Sequence, residues 1–163
     1  MKIGIVGSGN VGSALGKIWG SNGHEIMFSS RHPERLKALA ESLGKNACYG
    51  LPDEAARYGE VVVLSVSWTQ ALEALKAAGS IKGKILIDCT NPLKPDMGGL
   101  AVGHTTSAAE EVAKMDPGAK VVKAFNTTFA AVMHSSSRTF GSQKAMDSIV
   151  EMTVLQSLLY LVL

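Results

Sequence analysis

Apolar runs of strand length alternate with segments of helical periodicity along roughly the first 125 residues of the chain. One run, Val61–Val66, is apolar enough to be buried on both faces, as a strand of a parallel sheet is. The predicted strands are Met1–Val6, His24–Phe28, Asn46–Tyr49, Val61–Val66, Lys84–Asp88 and Lys120–Ala124. The predicted helices are Asn10–Ser21, Pro33–Leu43, Pro52–Tyr58, Thr69–Ala78 and Ser107–Lys114. This alternation predicts an α/β fold with a doubly wound, mostly parallel sheet and right-handed crossovers.

A glycine-rich stretch joins the first predicted strand to the first predicted helix. It has the pattern G-x-G-x-x-G and consists of Gly7, Ser8, Gly9, Asn10, Val11 and Gly12. In this context Gly7 permits a tight turn, Gly9 lets the backbone approach a pyrophosphate, and Gly12 lets the helix pack closely on the sheet. The helix N-terminus then offers free amides and the positive end of its dipole to phosphates. The stretch therefore predicts a Rossmann-type dinucleotide-binding domain.

The residues after the second predicted strand indicate which dinucleotide is bound. A site selective for NAD(H) usually has Asp or Glu near the end of that strand, where it accepts hydrogen bonds from the ribose. Here the chain has Ser30 and Arg31 instead, with Arg35 one helical turn further on. Arg31 can bind a 2′-phosphate bidentately and Ser30 can donate to it, which favours NADP(H) over NAD(H). The alternative is that both arginines are solvated surface residues and that Glu34 pairs with one of them.

Small polar and amide residues follow the fourth, fifth and sixth predicted strands. Val66 and Ser67 follow the fourth, Asn91 the fifth and Asn126 the sixth. Doubly wound sheets bind ligands at the carboxyl ends of their strands, so we expect these residues near the nicotinamide ring or its ribose. The alternative for each is turn formation or capping of the next helix. The four histidines are scattered and lie in no grouping with Ser or acidic residues, so the sequence predicts no catalytic side chain.

Composition narrows the class of protein further. A chain of 163 residues fits one domain, and 46% hydrophobic with 18% charged residues is a globular balance. A formal net charge of +2 gives no support for nucleic-acid binding. No apolar run reaches the roughly 20 residues of a membrane span, and we expect no signal peptide. Cys48 and Cys89 form no zinc-binding pattern, so we expect a cytoplasmic protein with no metal site.

Several stretches of the chain resemble one enzyme family. They are GIVGSGNVGSALG, FSSRHPER, LSVSW, ILIDCTNPL, TTSAAEEVA and PGAKVVKAFNT, and they fall within residues 1–130. They resemble the deazaflavin (coenzyme F420)-dependent NADP oxidoreductases, and the cytoplasmic domains of STEAP-type metalloreductases are similar in the same blocks. The combination of SR, DxTNP and VVKAFN after three different strands is more specific than the glycine pattern alone.

The resemblance implies hydride transfer between NADP(H) and a small-molecule redox partner, a deazaflavin or a flavin. Family members bring the two rings face to face, so no catalytic acid or base is implied. The resemblance further implies a pyrophosphate site at Ser8, Gly9, Asn10 and Val11, a 2′-phosphate site at Ser30, Arg31 and Arg35, and a nicotinamide site at Val66 and Ser67.

The resemblance ends at about Met133. We therefore divide the chain into an NADP-binding Rossmann domain over residues 1–134 and an atypical apolar tail over residues 135–163. We expect the tail to be a helix that packs on its own sheet or forms a homodimer. One hypothesis for it is a frameshift in the gene, because a back-translation of Ala145–Ser157 read in a shifted frame gives NGFYCGDDSVAK, which resembles the segment that relatives carry there. The second-substrate pocket is then incomplete, and the alternative function is a non-catalytic NADP(H)-binding module.

Overall fold

The structure, a computed structural model, describes residues 1–135, 137, 139–140, 142–144 and 150–151. Its strands are β1 (Lys2–Val6), β2 (Glu25–Ser29), β3 (Ala47–Gly50), β4 (Val61–Leu64), β5 (Ile85–Asp88), β6 (Lys120–Lys123), β7 (Thr139–Phe140), β8 (Gln143–Lys144) and β9 (Val150–Glu151). The main sheet has the order β3-β2-β1-β4-β5-β6-β9. Strands β1 to β6 are parallel to their neighbours, and β9 pairs antiparallel with β6. The predicted doubly wound, mostly parallel sheet is therefore confirmed.

Helices follow or connect the parallel strands. They are α1 (Asn10–Ser21), α2 (Lys37–Glu41), α3 (Pro52–Tyr58), α4 (Ala71–Ala78), α5 (Ala108–Met115) and α6 (Ala130–His134). The predicted helix Pro33–Leu43 is split, because Pro33–Leu36 form a 3-10 helix before α2. The predicted strand Val61–Val66 ends at Leu64, and α6 was not predicted.

Two hydrophobic cores lie on the two faces of the main sheet. Val61 and Val63 of β4 pack into the core that contains Trp19, while Val62 and Leu64 pack into the other core. Each of these four β4 residues is at most 3% exposed. The strand that was predicted to be buried on both faces is therefore buried on both, because its alternate side chains enter different cores.

The predicted tail lies mostly outside the described residues. Its described part contributes β7 and β8, which pair with each other, and β9 at the edge of the main sheet. The predicted boundary at residue 134, the helix, the homodimer and the frameshift stay predictions. Within the described ranges, no helix has both the length and the apolar character needed to cross a membrane.

Candidate functional site

A cleft lies at the carboxyl edge of the main sheet, where the winding of the fold reverses. β1 pairs with β2 on one side and with β4 on the other, which opens a crevice above β1. The cleft has a volume of about 890 Å³. The predicted site residues that line it are Gly7, Ser8, Gly9, Asn10, Val11, Ser30, Arg31, Val66, Ser67 and Asn91. The structure thus brings residues from four separate strand ends into one crevice of the kind that binds ligands in such folds.

The three glycines of the loop between β1 and α1 differ in what surrounds them. Gly7 has φ of +95°, and a Cβ atom there would lie 2.4 Å from Cγ1 of Val66. A Cβ atom on Gly12 would lie 2.2 Å from the carbonyl oxygen of Gly7. No heavy atom lies within 4 Å of a Cβ atom built on Gly9. Gly7 and Gly12 are therefore required by the fold itself, whereas Gly9 leaves open space above the loop for a ligand.

This difference predicts opposite outcomes for two alanine variants. Gly12→Ala should lower the free energy of unfolding by about 1–3 kcal/mol, because the added methyl group meets backbone. Gly9→Ala should leave stability within about 0.5 kcal/mol of the parent and weaken dinucleotide binding instead. Urea unfolding followed by circular dichroism and titration with NADPH measure the two effects. Equal destabilisation by both substitutions would contradict the assignment.

Hydrogen bonds fix the glycine loop between its neighbouring strands. The hydroxyl of Ser8 accepts from the amide of Ser29 at 3.0 Å and donates to the Ser29 carbonyl at 3.2 Å. The hydroxyl of Ser65 donates to the carbonyl of Gly7 at 2.6 Å. Within the described chain, α1 has neither a side-chain cap nor an acidic residue in its first turn. Its first amides and the positive end of its dipole are therefore available to an anion in the cleft.

Ser30 and Arg31 lie at the end of the cleft that follows β2. The hydroxyl oxygen of Ser30 accepts from the amide of His32 at 3.1 Å, which leaves its hydrogen free to donate. Arg31 is exposed and lines the cleft. Glu34 lies 3.7 Å from Nδ1 of His32, and no ion pair joins Glu34 to Arg31 or Arg35 among the described residues. The structure therefore does not support the alternative in which Glu34 pairs with an arginine.

Arg35 is the predicted phosphate ligand that the structure does not bring into the cleft. It is exposed, and it lies in the 3-10 helix Pro33–Leu36 rather than in an α-helix. Arg31 precedes this helix, and His32 between them has φ of −129° and ψ of 71°, which is not helical. Arg31 and Arg35 therefore do not lie on one helix, and their spacing of four residues does not place them on a shared face.

Asn91 and Asn126 meet at the ends of β5 and β6. Nδ2 of Asn91 donates to the carbonyl of Asn126 at 3.1 Å, and Nδ2 of Asn126 lies 3.4 Å from Oδ1 of Asn91. The buried Phe125 turns the chain here with φ of 62°, and its ring packs edge-on against Trp19 at 5.7 Å. Asn126 does not line the cleft, so it supports Asn91 from behind.

The segment after Asn91 forms a structure that sequence reasoning missed. The amide of Ala101 donates to the carbonyl of Pro92 at 2.7 Å, and the amide of Lys94 donates to the carbonyl of Gly99 at 2.9 Å. We call this segment the 92–101 hairpin. Its residues on the cleft wall are Leu93, Lys94, Pro95 and Met97. Trp68, four residues after the end of β4, also lines the cleft and was missed as well. The signals that could have revealed the hairpin are Pro95 and the glycine pair at its tip.

A group of ionisable side chains lies at the opposite, amino edge of the sheet. The hydroxyl of Tyr58 donates to a carboxylate oxygen of Glu25 at 3.2 Å. The pKa of Tyr58 is raised to about 12, chiefly because its hydroxyl is partly desolvated and also by the negative charges of Cys48 and Glu25. Nothing in this group reaches the cleft. The described part of the chain contains no cluster of three or more His, Cys, Asp or Glu side chains suited to a metal ion.

Comparison with known proteins assigns the family. Residues 2–92, more than half of the 163-residue chain, match the model of the coenzyme F420-dependent NADP oxidoreductases. The chain belongs to this family. The matched region contains β1 to β5 and most of the cleft lining, and the family predicted from the sequence motifs is confirmed.

Relatives within and beyond the F420-dependent NADP oxidoreductases are similar over most of this chain. The metalloreductase STEAP3 of Rattus norvegicus is 31% identical over 84% of the chain and 27% of its own length. The F420-dependent NADP reductase of Methanothermobacter marburgensis is 32% identical over 82% of the chain and 66% of its own length. A crystal structure of a candidate F420-dependent NADP reductase from Arthrobacter is 31% identical with a TM-score of 0.77, over 86% of this chain and 69% of that one. The chain spans less than two thirds of the length of these two curated relatives, STEAP3 and the Methanothermobacter reductase.

In this F420-dependent oxidoreductase family member, a buried ion pair fixes the strand ends that carry Asn91. Asp88 is fully buried, and one of its carboxylate oxygens accepts from Nζ of Lys123 at 2.9 Å. The other accepts from the amide of Thr90 at 2.8 Å, and Lys123 also donates to the carbonyl of Thr90. The pair thus ties the end of β6 to the turn after β5, one residue before Asn91.

Proposed function

We propose that the protein is an NADP(H)-dependent oxidoreductase that transfers a hydride between NADP(H) and a deazaflavin of the F420 type. The observation that carries this proposal is the single cleft that unites the glycine loop with Arg31 at one end and with Asn91 at the other. Membership of the F420-dependent NADP oxidoreductase family supports the choice of both reactants. The relatives named F420-dependent NADP reductase support it further.

The glycine loop and the end of β2 are proposed to bind the adenosine half of NADP(H). The open space at Gly9 fits the close approach of a pyrophosphate, with Ser8, Asn10 and Val11 as its neighbours. Ser30 and Arg31 would hold the 2′-phosphate with one hydroxyl donor and a bidentate guanidinium. Arg35 is proposed to contribute only long-range positive charge, since it does not line the cleft.

The other half of the cleft is proposed to orient the nicotinamide. Val66, Ser67 and Asn91 line this half, and Asn126 holds the amide of Asn91 in one orientation. NADPH supplies a hydride when bound; the acceptor ring takes up the hydride and one solvent proton, so the two-electron balance closes. The protein then needs only to orient the reactants and exclude water. This agrees with the prediction that the site has no catalytic acid or base.

A hydride-transfer assay tests this proposal. Mixing the protein with NADPH and oxidised F420 in a stopped-flow instrument should bleach the visible absorbance of the deazaflavin, and NADH should be a poorer donor. Replacing F420 by FMN tests whether a flavin can serve as acceptor. Binding of NADPH without turnover of either acceptor would support the alternative, a non-catalytic NADP(H)-binding module. Absence of NADPH binding would overturn both.

Two further parts of the proposal concern the whole protein. We expect a homodimer that involves the tail over residues 135–163, which sedimentation velocity of the full chain would test against a chain that ends at residue 144.

We also expect the protein in the cytoplasm, where NADP(H) and the redox partner are available. Fractionation of the source cells would test this.

A further inference from the structure

We propose that Lys94, on the 92–101 hairpin, binds an anionic group of the second substrate and thereby selects a planar acceptor with a negatively charged side chain. This inference rests on the proposed oxidoreductase function. Among the described residues that line the cleft, Arg31 and Lys94 are the cations. Both are exposed, and they follow strands on opposite sides of β1 and β4. The acidic side chain in the same lining is Glu73 on α4, and no ion pair joins it to Lys94 among the described residues.

The strand order separates Lys94 from both phosphate sites of the dinucleotide. Arg31 follows β2 and Lys94 follows β5, with β1 and β4 between these strands. The strands that precede Arg31 and Lys94 are three spacings apart, about 14 Å, and the strand that precedes the glycine loop is two spacings, about 10 Å, from β5. The proposed partners of the 2′-phosphate and the pyrophosphate therefore follow β2 and β1, whereas Lys94 follows β5. Neither phosphate group of the dinucleotide is assigned to Lys94.

The backbone around Lys94 is held firmly, and its side chain has no acidic partner. Its amide donates to the carbonyl of Gly99 at 2.9 Å, and its own carbonyl accepts from the amide of Met97 at 2.9 Å. The nearby carboxylate of Asp96 accepts from the amide of Gly98 at 2.9 Å instead. No ion pair of Lys94 occurs among the described residues. A cation on such a support can bind an external anion without first breaking an internal pair.

The neighbours of Lys94 on the cleft wall are apolar. Leu93 and Met97 line the cleft and are 38% and 77% exposed. Pro95 lies between them on the same wall. An exposed apolar surface next to a cation fits a flat ring that carries an anionic substituent. The hairpin therefore selects for both features of the acceptor.

Equilibrium binding of two deazaflavins that share one ring system tests the inference. F420 carries a phosphodiester and carboxylates on its side chain, whereas its fragment FO carries the same ring with a neutral side chain. With the full chain saturated with NADP⁺, quenching of deazaflavin fluorescence should give an affinity for F420 about tenfold higher than for FO, and this preference should fall with added salt. Lys94→Ala should bring the two affinities together, and Lys94→Arg should retain the preference.

The controls separate this inference from the proposed function. Lys82→Ala removes an exposed lysine beyond the amino edge of β5 and should change neither affinity. Calorimetry with NADP⁺ alone checks the dinucleotide site first, and a failure there would overturn the proposed function. Equal affinities for F420 and FO in the parent, no binding of either, or weaker binding of NADP⁺ and both deazaflavins in Lys94→Ala would each overturn the role of Lys94.

Discussion

Replacing Arg31 by alanine is expected to raise the Kd for NADPH about tenfold to a hundredfold and to leave the Kd for NADH unchanged. The guanidinium lines the cleft directly after the Ser30 hydroxyl, and no acidic side chain among the described residues pairs with it. A charge-assisted, bidentate contact of this kind contributes roughly 1.5–3 kcal/mol, and it exists only with the cofactor that carries the 2′-phosphate. Calorimetric titration of both dinucleotides measures the effect.

Two other arginines serve as controls for this prediction. Arg57→Ala removes the same charge from an exposed pair with Asp53 on α3 and should affect neither dinucleotide. Arg35→Ala should have a smaller effect than Arg31→Ala, because Arg35 lies on the 3-10 helix and not on the cleft wall. If Arg31→Ala weakened the binding of NADH and NADPH equally, Arg31 would contact a part of the dinucleotide that both share. Another residue would then have to account for a preference for NADP(H).

Local patterns were sufficient to predict the sheet and that the glycine loop, Ser30 and Arg31 would line one cleft. The glycine spacing and the apolar run of β1 act within a dozen residues, and the structure shows why Gly7 and Gly12 cannot carry a side chain. The polar residues after successive strands also predicted that Asn91 lies at the cleft, because the carboxyl ends of parallel strands meet at one edge of the sheet. At Gly7 and Gly12 the residue type has a single physical reason for its position, because a Cβ atom would meet neighbouring atoms.

Features that depend on distant contacts were not predictable from the sequence alone. The left-handed backbone at Phe125 is held by packing against Trp19, more than a hundred residues earlier in the chain. Arg31 lies outside the 3-10 helix that carries Arg35, so a spacing that suggested a shared helix face does not bring Arg35 to the cleft. The 92–101 hairpin has turn signals but no strand-like run. These differences concern which side chains reach the cleft, whereas the fold itself is unaffected.

Replacing Lys123 by methionine is expected to lower the free energy of unfolding by about 3–5 kcal/mol, the largest effect that we predict. Asp88 is fully buried and the Lys123 side chain is 15% exposed, so the substitution leaves an unpaired carboxylate in the core. Methionine keeps most of the volume of the lysine stem, which confines the change to the charge. Urea unfolding should show the loss, and NADPH should bind more weakly because the turn before Asn91 loses its tie to β6.

A second substitution distinguishes the charge from simple packing. In the double variant Asp88→Asn with Lys123→Met, no buried charge remains, and the asparagine oxygen can still accept from the amide of Thr90. Replacing both members of a buried pair is often close to neutral, so most of the lost stability should return. Equal stability of the single and double variants would mean that the carboxylate is not what destabilises the single variant. Recovery of stability without recovery of NADPH affinity would instead show that Lys123 positions the cleft through the Thr90 carbonyl, independently of its pairing with Asp88.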